Sequence, residues 1–257
     1  MAVLENRSLG KVLTIAILVP LLLATQAVAQ QADNTARRTH VAGAVTITTK
    51  GISLIPAFSL GKPAGIVDVA ITDGALSFEP QFRFGLNGKP WSFIFWGRYR
   101  PLRGGKLRLG VGAHPSVLFR TITDSTSGVP RETIVVTRYL AGEVNPSYSL
   151  AKNLSVGVYY LYSHGVDQEA VQNTHFLSAR ANLTNVPISG QVFLQFAPQL
   201  YYLNMDGRDG WYGNAAVTLG SRTLPLAVSA MVNKTIRTRI TVGEDLLWNV
   251  SLIYFLR

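Results

Sequence analysis

The stretch LSFEPQFRFGL, residues 76–86, decides the fold class of this chain. Its apolar side chains lie on one face of an extended strand: Leu76, Phe78, Phe82, Phe84 and Leu86. The positions between them place polar side chains on the other face: Ser77, Glu79, Gln81 and Arg83. A period of two is typical of a β-strand with one apolar and one polar face.

The same alternation repeats from residue 51 onward, and no later segment shows a convincing helical period. Residues 107–119, 192–202 and 246–254 alternate as clearly as residues 76–86. The pattern predicts an all-β protein of about twelve strands, with ten as the fallback. The predicted strands are 51–60, 65–72, 75–86, 90–101, 105–122, 132–150, 153–165, 174–184, 189–204, 210–220, 225–237 and 245–257.

Strand length and link length together indicate a transmembrane, antiparallel, up-and-down β-barrel. Several strands exceed the usual length of about 5–6 residues and suit a tilted membrane strand of about 9–11 residues. With the N-terminus in the periplasm, most links on that side are short and most on the other side are longer and more polar, as in outer-membrane barrels. The long links are predicted at 123–131, 166–173, 205–210 and 238–244. A secreted β-sandwich or lipocalin-like barrel is the alternative.

Aromatic side chains on the apolar face are predicted to form two membrane-interface girdles. Those toward the extracellular ends of the strands are Trp91, Tyr160, Tyr162, Tyr202 and Trp211. Those toward the periplasmic ends are Tyr99, Tyr148 and Tyr254.

The first 29 residues are predicted to be a secretory signal peptide. Arg7 and Lys11 precede an apolar run over 12–24, which is shorter than the roughly 20 residues of a membrane-spanning helix. The triplet Ala27-Val28-Ala29 then provides the small residues at which a signal peptidase cleaves. Residues 30–50 are predicted to be a periplasmic lead-in or a short first strand, and residues 51–257 the barrel.

Composition excludes several classes of protein. The 257-residue chain is 47% hydrophobic, carries a net charge of +10 and has no cysteine. A disulfide scaffold, a thiolate metal site and a cysteine nucleophile are therefore excluded. The lysines and arginines do not form a continuous basic segment with aromatic residues between them, as a nucleic-acid-binding site would. We therefore expect no nucleic-acid partner. We expect no cofactor and no bound metal.

The signal peptide, the alternating strands and the ending WNVSLIYF, residues 248–255, resemble outer-membrane β-barrel proteins of Gram-negative bacteria, of a small or medium porin-like kind. The resemblance implies a location in the outer membrane, contact with its lipid and delivery by the barrel-assembly machinery. Members of such families usually end on an aromatic residue, whereas this sequence continues to Leu256 and Arg257.

The face opposite the apolar one would line the lumen, and it carries many charged side chains. They are Glu79, Arg83, Arg98, Arg100, Lys106, Arg108, Arg120 and Glu143. A turn near Gly104 would set Arg98 opposite Arg108 and Arg100 opposite Lys106, and four like charges facing each other require compensation. Glu79 would lie near Arg98, and Glu143 nearer His114. The remaining positive charge favours a narrow passive channel for small solutes with a preference for anions.

Two further functions stay open. The second hypothesis is a non-catalytic role, in which the barrel supports the wall or presents loops to a partner. A third and weaker hypothesis is lipid hydrolysis, because the spacing of His114 and Ser116 resembles that in outer-membrane phospholipases and lipid A deacylases. Asn145 and Glu143 would then orient the histidine. In those families, however, the catalytic groups face lipid, whereas His114 and Ser116 share the lumenal face.

Two loop motifs are weak candidates for a metal. His164, Asp167, Glu169 and His175 surround one predicted loop, and residues 206–210 read DGRDG, which favours a turn over a calcium site. The sequence does not determine the solute or the oligomeric state.

Overall fold

The computed structural model describes residues 39–124, 130–241 and 243–256. These residues form twelve strands and one short 3-10 helix at Pro56–Phe58. The predicted signal peptide and residues 30–38 lie outside the described residues, as does Arg257. The strands are β1 (His40–Thr48), β2 (Ala64–Asp73), β3 (Leu76–Gly85), β4 (Pro90–Leu102), β5 (Leu107–Asp124), β6 (Arg131–Ala151), β7 (Leu154–Gly165), β8 (Asn173–Ser189), β9 (Val192–Met205), β10 (Arg208–Ser221), β11 (Leu226–Thr238) and β12 (Leu246–Leu256).

Each strand pairs with the next in antiparallel fashion, and β1 pairs with β12, so the sheet closes into a barrel. The closing seam runs from Gly43 opposite Leu256 to Thr48 opposite Ser251. Closure leaves no sheet edge with unpaired backbone groups. The predicted all-β barrel is confirmed, with twelve strands rather than ten.

One predicted strand is wrong. Residues 51–60 are not in the sheet: the segment 49–63, which we call the inward segment, leaves β1 and turns into the barrel. Its backbone closes on itself, since Gly51 N donates to Lys62 O at 2.7 Å and Leu60 N donates to Gly51 O at 2.9 Å. Pro56 starts the short helix and has no N–H for a strand ladder, which is one reason this stretch cannot extend the sheet. The first strand of the barrel is instead β1.

The two faces of the barrel wall differ as the alternation predicts. Apolar side chains on the outer face are exposed, among them Leu76, Leu107, Leu140, Leu200, Trp248 and Leu252. Buried side chains of both polar and apolar kind point inward, among them Ser77, Glu143, Tyr159, Phe176 and Tyr201. The outer wall is therefore apolar and the interior mixed, which is the reverse of a water-soluble barrel.

The two ends of the barrel carry different links. At one end, here the turn end, the links are 74–75, 103–106, 152–153, 190–191 and 222–225. At the other, here the loop end, they are 49–63, 86–89, 125–130, 166–172, 206–207 and 239–245. The long link predicted at 205–210 is wrong, because Asp206 (φ 47°) and Gly207 (φ 80°) make a two-residue turn instead. Across the described ranges, no helix is long and apolar enough to span a membrane.

Candidate functional site

A network of arginines and carboxylates crosses the barrel interior from β3 to β7. Arg98 Nε donates to Glu143 Oε1 at 2.6 Å, and Arg98 also pairs with Glu79. Arg100 donates to Glu79 Oε1 at 2.6 Å and to Ser77 Oγ at 2.8 Å. Glu79 thus pairs with both arginines and Glu143 pairs with Arg98, so the two carboxylates neutralise these two guanidinium groups inside the barrel.

The pairing of β4 with β5 places these arginines opposite glycines. Arg98 is the register partner of Gly112, and the side chain of Arg100 packs over Gly110. The expected pairing of Arg98 with Arg108, and of Arg100 with Lys106, is therefore wrong. The link 103–106 and a strand irregularity between Tyr99 and Leu102 shift the register. Because glycine has no side chain, the Arg98 guanidinium can lie across β5 and reach Glu143 on β6, while Arg100 turns to Ser77 and Glu79 on β3.

Glu143 receives these contacts and is itself deeply buried. Its side chain is 4% exposed, and its Oε2 accepts a hydrogen bond from Tyr159 at 2.7 Å. It is paired in register with Gly112, while His114 is paired with Ala141. The sequence pattern predicts Glu143 nearer to His114 than to the arginines, and this expectation is wrong.

A cavity of about 310 Å³ adjoins this network within the barrel. Arg98, Arg100 and Arg180 line it together with Glu143, and Asn145 and Gln199 add amide groups. Arg180 donates to Asn145 Oδ1, and its guanidinium lies 5.1 Å from the centre of the Tyr159 ring. Three cations face two carboxylates, Glu79 and Glu143, so the region carries a positive balance.

The other predicted lumenal cations lie away from this network. Arg83 donates to Gln81, which in turn donates to Asp68, and the Arg83 guanidinium lies 5.1 Å from the Trp91 ring. Arg120 lies near the loop end, 3.4 Å from the carbonyl oxygen of Ala57. Lys106 and Arg108 are exposed at the turn end.

The inward segment fills the interior on the loop-end side of the cavity. Ile55 is 6% exposed and belongs to a buried cluster whose aromatic members follow one another around the wall, from Tyr159 and Phe176 to Tyr201 and Tyr212. The last three are at most 1% exposed. Phe58 packs on Tyr139 with ring centres 5.2 Å apart. The segment therefore narrows the barrel at this level.

Trp91 anchors the inward segment and does not face outward as predicted. It is 2% exposed, and its Nε1 donates to the Phe58 carbonyl oxygen at 2.9 Å. The reason is a β-bulge: Arg83 pairs with Ser92 but Phe84 pairs with Pro90, so Trp91 is the extra residue. A bulge changes the direction of the side chains on one side of it, which alternation in the sequence does not reveal.

The remaining girdle aromatics lie on the outer face. Tyr160, Tyr162, Tyr202 and Trp211 lie toward the loop end, while Tyr99, Tyr148 and Tyr254 lie toward the turn end. Tyr160 OH and Tyr162 OH make hydrogen bonds to His175 (2.9 Å) and Asn173 (2.7 Å), respectively. Their part in a membrane interface is a proposal, taken up below.

The residues of the hydrolase hypothesis do not assemble. His114 is 8% exposed and packs edge-on against Trp96, with ring centres 4.1 Å apart. Its Nδ1 has no hydrogen-bond partner among the described residues. The two proposed orienting groups are bound elsewhere, Glu143 to Arg98 and Asn145 to Arg180. A serine nucleophile needs a hydrogen-bonded base and an orienting group, and this arrangement lacks both links.

The loop residues considered for a metal are also separated. Asp167 accepts from the Arg138 guanidinium at 2.6 Å, and His175 bonds Tyr160. Asp206 accepts from the backbone N–H groups of Gln172 (3.0 Å) and Asn173 (2.7 Å). Within the described ranges, no three histidines or carboxylates come close enough together to hold a metal.

Sequence reasoning missed three parts of the site: Arg180, Tyr159 and the inward segment. Arg180 and Tyr159 could have been found, since each shares the inward face of its strand with polar neighbours such as Ser178 and Ser163. The inward segment gave no such signal, because its short apolar run is equally compatible with a buried strand.

Comparison with known proteins supports the fold. No protein-family model and no curated protein matches the chain. An outer membrane channel from Pseudomonas putida F1 matches with a TM-score of 0.55 and 10% identity, over 87% of this chain and 98% of that one. A KdgM porin in complex with disordered oligogalacturonate matches with a TM-score of 0.52 and 8% identity, over 84% and 99%. The chain thus has the fold of outer-membrane channel barrels.

Proposed function

We propose that this protein is an outer-membrane barrel that provides a narrow passive channel for small solutes with a preference for anions. The observation that carries the proposal is the polar cavity inside the closed barrel, where Arg98, Arg100 and Arg180 outnumber Glu143 and the adjoining Glu79. Basic side chains lining a pore attract anions. The structural likeness to outer-membrane channels, one of which binds an oligogalacturonate, supports the same class of function.

The apolar outer wall and its two sets of aromatic residues support the membrane location. In this arrangement the loop end faces outward from the cell and the turn end faces the periplasm. Outer-membrane lipid surrounds the wall, and the barrel-assembly machinery inserts it. Signal-peptide cleavage after Ala29 belongs to the same proposal.

Conductance across a planar bilayer under a salt gradient tests the channel. Discrete openings with an anion-selective reversal potential are expected. Replacing the arginines that hold the positive balance, in the double variant Arg100→Gln/Arg180→Gln, should move that potential toward zero. The matched control is Lys234→Gln/Arg237→Gln, which removes the same charge from the outer face and should leave selectivity unchanged. Equal loss in both variants would contradict a lumenal origin of selectivity.

A non-conducting barrel that supports the membrane or presents loops is the second candidate. The observation in its favour is the tight packing of Ile55 against Phe176, Tyr201 and Tyr212 across the interior. Protein that shows the heat-dependent gel shift of a folded barrel but never conducts would select this candidate over the channel.

A further inference from the structure

A second group of side chains lies on the outside of the barrel, on β10 and β11 near the loop end. Trp211 pairs in register with Tyr202 on one side and with Arg237 on the other. The rings of Tyr202 and Trp211 lie 5.3 Å apart, and Trp211 is 46% exposed. On the outer face of β11, Lys234 lies between the exposed Val232 and Ile236, and Arg237 follows Ile236.

A surface recess of about 190 Å³ opens beside this row. Arg237, Arg239 and Trp211 line it, together with the backbone of Gly210. Asp209 also borders the recess, but its carboxylate already accepts from Arg239 Nε at 2.6 Å. The guanidinium group of Arg237 and the indole of Trp211 therefore border a space large enough for a small anionic group, next to the ion pair of Arg239 with Asp209.

Arg239 is balanced by Asp209, so the remaining charge of this patch is that of Lys234 and Arg237. Among the described residues, neither Lys234 nor Arg237 has a carboxylate oxygen within 4.0 Å. By contrast, outward-facing charges on β6 are paired, Glu132 with Lys89 and Arg138 with Asp167. Two unpaired cations near the loop end of the outer face, of which Arg237 lines the recess, are complementary to an anion held at that height.

We propose that Arg237 and Trp211 at the recess, together with Lys234 on the same outer face, bind a phosphate group of the phosphorylated glycolipid in the outer leaflet. This inference rests on the membrane location proposed above. Arginine presents a planar fork of donors that matches phosphate, and tryptophan is favoured where apolar and polar lipid regions meet. A lipid fits the patch better than a soluble anion, because the recess continues directly into the lipid-facing surface of Trp211 and Tyr202.

The test is binding of bis-phosphorylated lipid A to the refolded full barrel in detergent, followed by native mass spectrometry. The double variant Lys234→Gln/Arg237→Gln should bind about 25-fold more weakly, given about fivefold for each cation near an anionic lipid surface. Dephosphorylated lipid A should bind the unaltered protein as weakly as the phosphorylated lipid binds this variant. The matched control, Lys152→Gln/Arg222→Gln, removes two cations from the turn end and should bind like the unaltered protein.

Three results would overturn the proposal: an equal loss in the turn-end control, equal binding of dephosphorylated lipid A, or equally tight binding of inorganic phosphate alone. The heat-dependent gel shift establishes that each variant is folded. Because binding is measured in detergent, it does not depend on conductance. If the protein does not conduct but its lipid binding depends on the phosphate, only the channel proposal fails. If the barrel conducts but its lipid binding does not depend on the phosphate, only the lipid-binding proposal fails.

Discussion

Two glycines of β5 determine how the arginines of the barrel interior are used. A Cβ atom at Gly112 would lie 2.9 Å from Arg98 Cγ and 3.1 Å from the backbone oxygen of Gly97. At Gly110 the nearest atom, Arg100 Cγ, would be 3.9 Å away, which is an ordinary contact. The two positions look alike in the sequence, yet only one of them is closed to a larger side chain.

Gly112→Ala is therefore expected to lower the free energy of unfolding by about 1–3 kcal/mol, as overpacking of a filled site does. Gly110→Ala is the matched control and should leave stability unchanged or slightly raised, because alanine is favoured over glycine in a strand interior. Urea unfolding of the refolded barrel in lipid measures both. A similar loss in the two variants would contradict the close approach of Arg98 to β5.

Asp167 gives a prediction about pH. The Arg138 guanidinium donates to its carboxylate, as does the Arg138 backbone N–H at 2.7 Å, and together they hold the pKa of Asp167 below its usual value. A lowered pKa in the folded state means that the contact stabilises the loop at neutral and mildly acidic pH. That contribution is lost as the pH falls through the lowered pKa.

Arg138→Gln should raise the pKa of Asp167, as measured by a carboxyl NMR titration. Arg131→Gln, on the same strand but away from Asp167, is the control and should have no such effect. An unchanged titration of Asp167 in the Arg138 variant would show that the side-chain pair contributes nothing at the barrel surface.

At the scale of elements, the inward segment is the part that departs most from a simple barrel. It is held at both sides, by Trp91 through the Phe58 carbonyl oxygen and by Asn249 Nδ2, which donates to the Lys50 carbonyl oxygen at 2.9 Å. Its two ends also meet, since Gly61 N donates to Gly51 O at 3.2 Å. The segment can therefore be shortened without pulling β1 and β2 apart.

Replacing residues 52–60 by two glycines should increase single-channel conductance, because Ile55 and Phe58 would no longer occupy the interior. The control is Lys50→Gln, which removes the exposed ion pair with Glu244 and leaves the length of the segment unchanged. Equal conductance for the shortened and unaltered proteins would show that the narrowest point lies elsewhere, at the arginine network.

For the whole molecule, the orientation of the barrel is open to a direct test because the chain has no cysteine. A single cysteine at Glu169, exposed in a loop-end link, should react with a membrane-impermeant maleimide on intact cells. A cysteine at Lys152, exposed in a turn-end link, should react only after the outer membrane is opened. Labelling of Lys152→Cys but not Glu169→Cys on intact cells would reverse the proposed orientation.

The sequence by itself determined the strands and the faces of the barrel wall. Every predicted strand after the first overlaps a strand of the barrel, and alternation correctly separated Leu76 and Leu107 from Ser77 and Glu79. This succeeds because the side-chain period of a strand is two and the medium outside differs from the interior. The face on which a side chain lies therefore follows from the local alternation of apolar and polar residues.

The tertiary structure alone decided which inward-facing charges meet and what fills the barrel. The register of β4 against β5 depends on the link 103–106. Because the register differs from the expected one, Arg98 does not face other cations of β5 but pairs with Glu79 and Glu143. The bulge at Trp91 and the inward turn of residues 49–63 depend on the space available in the closed barrel. Such features arise from contacts between residues far apart in the chain, so no local period encodes them.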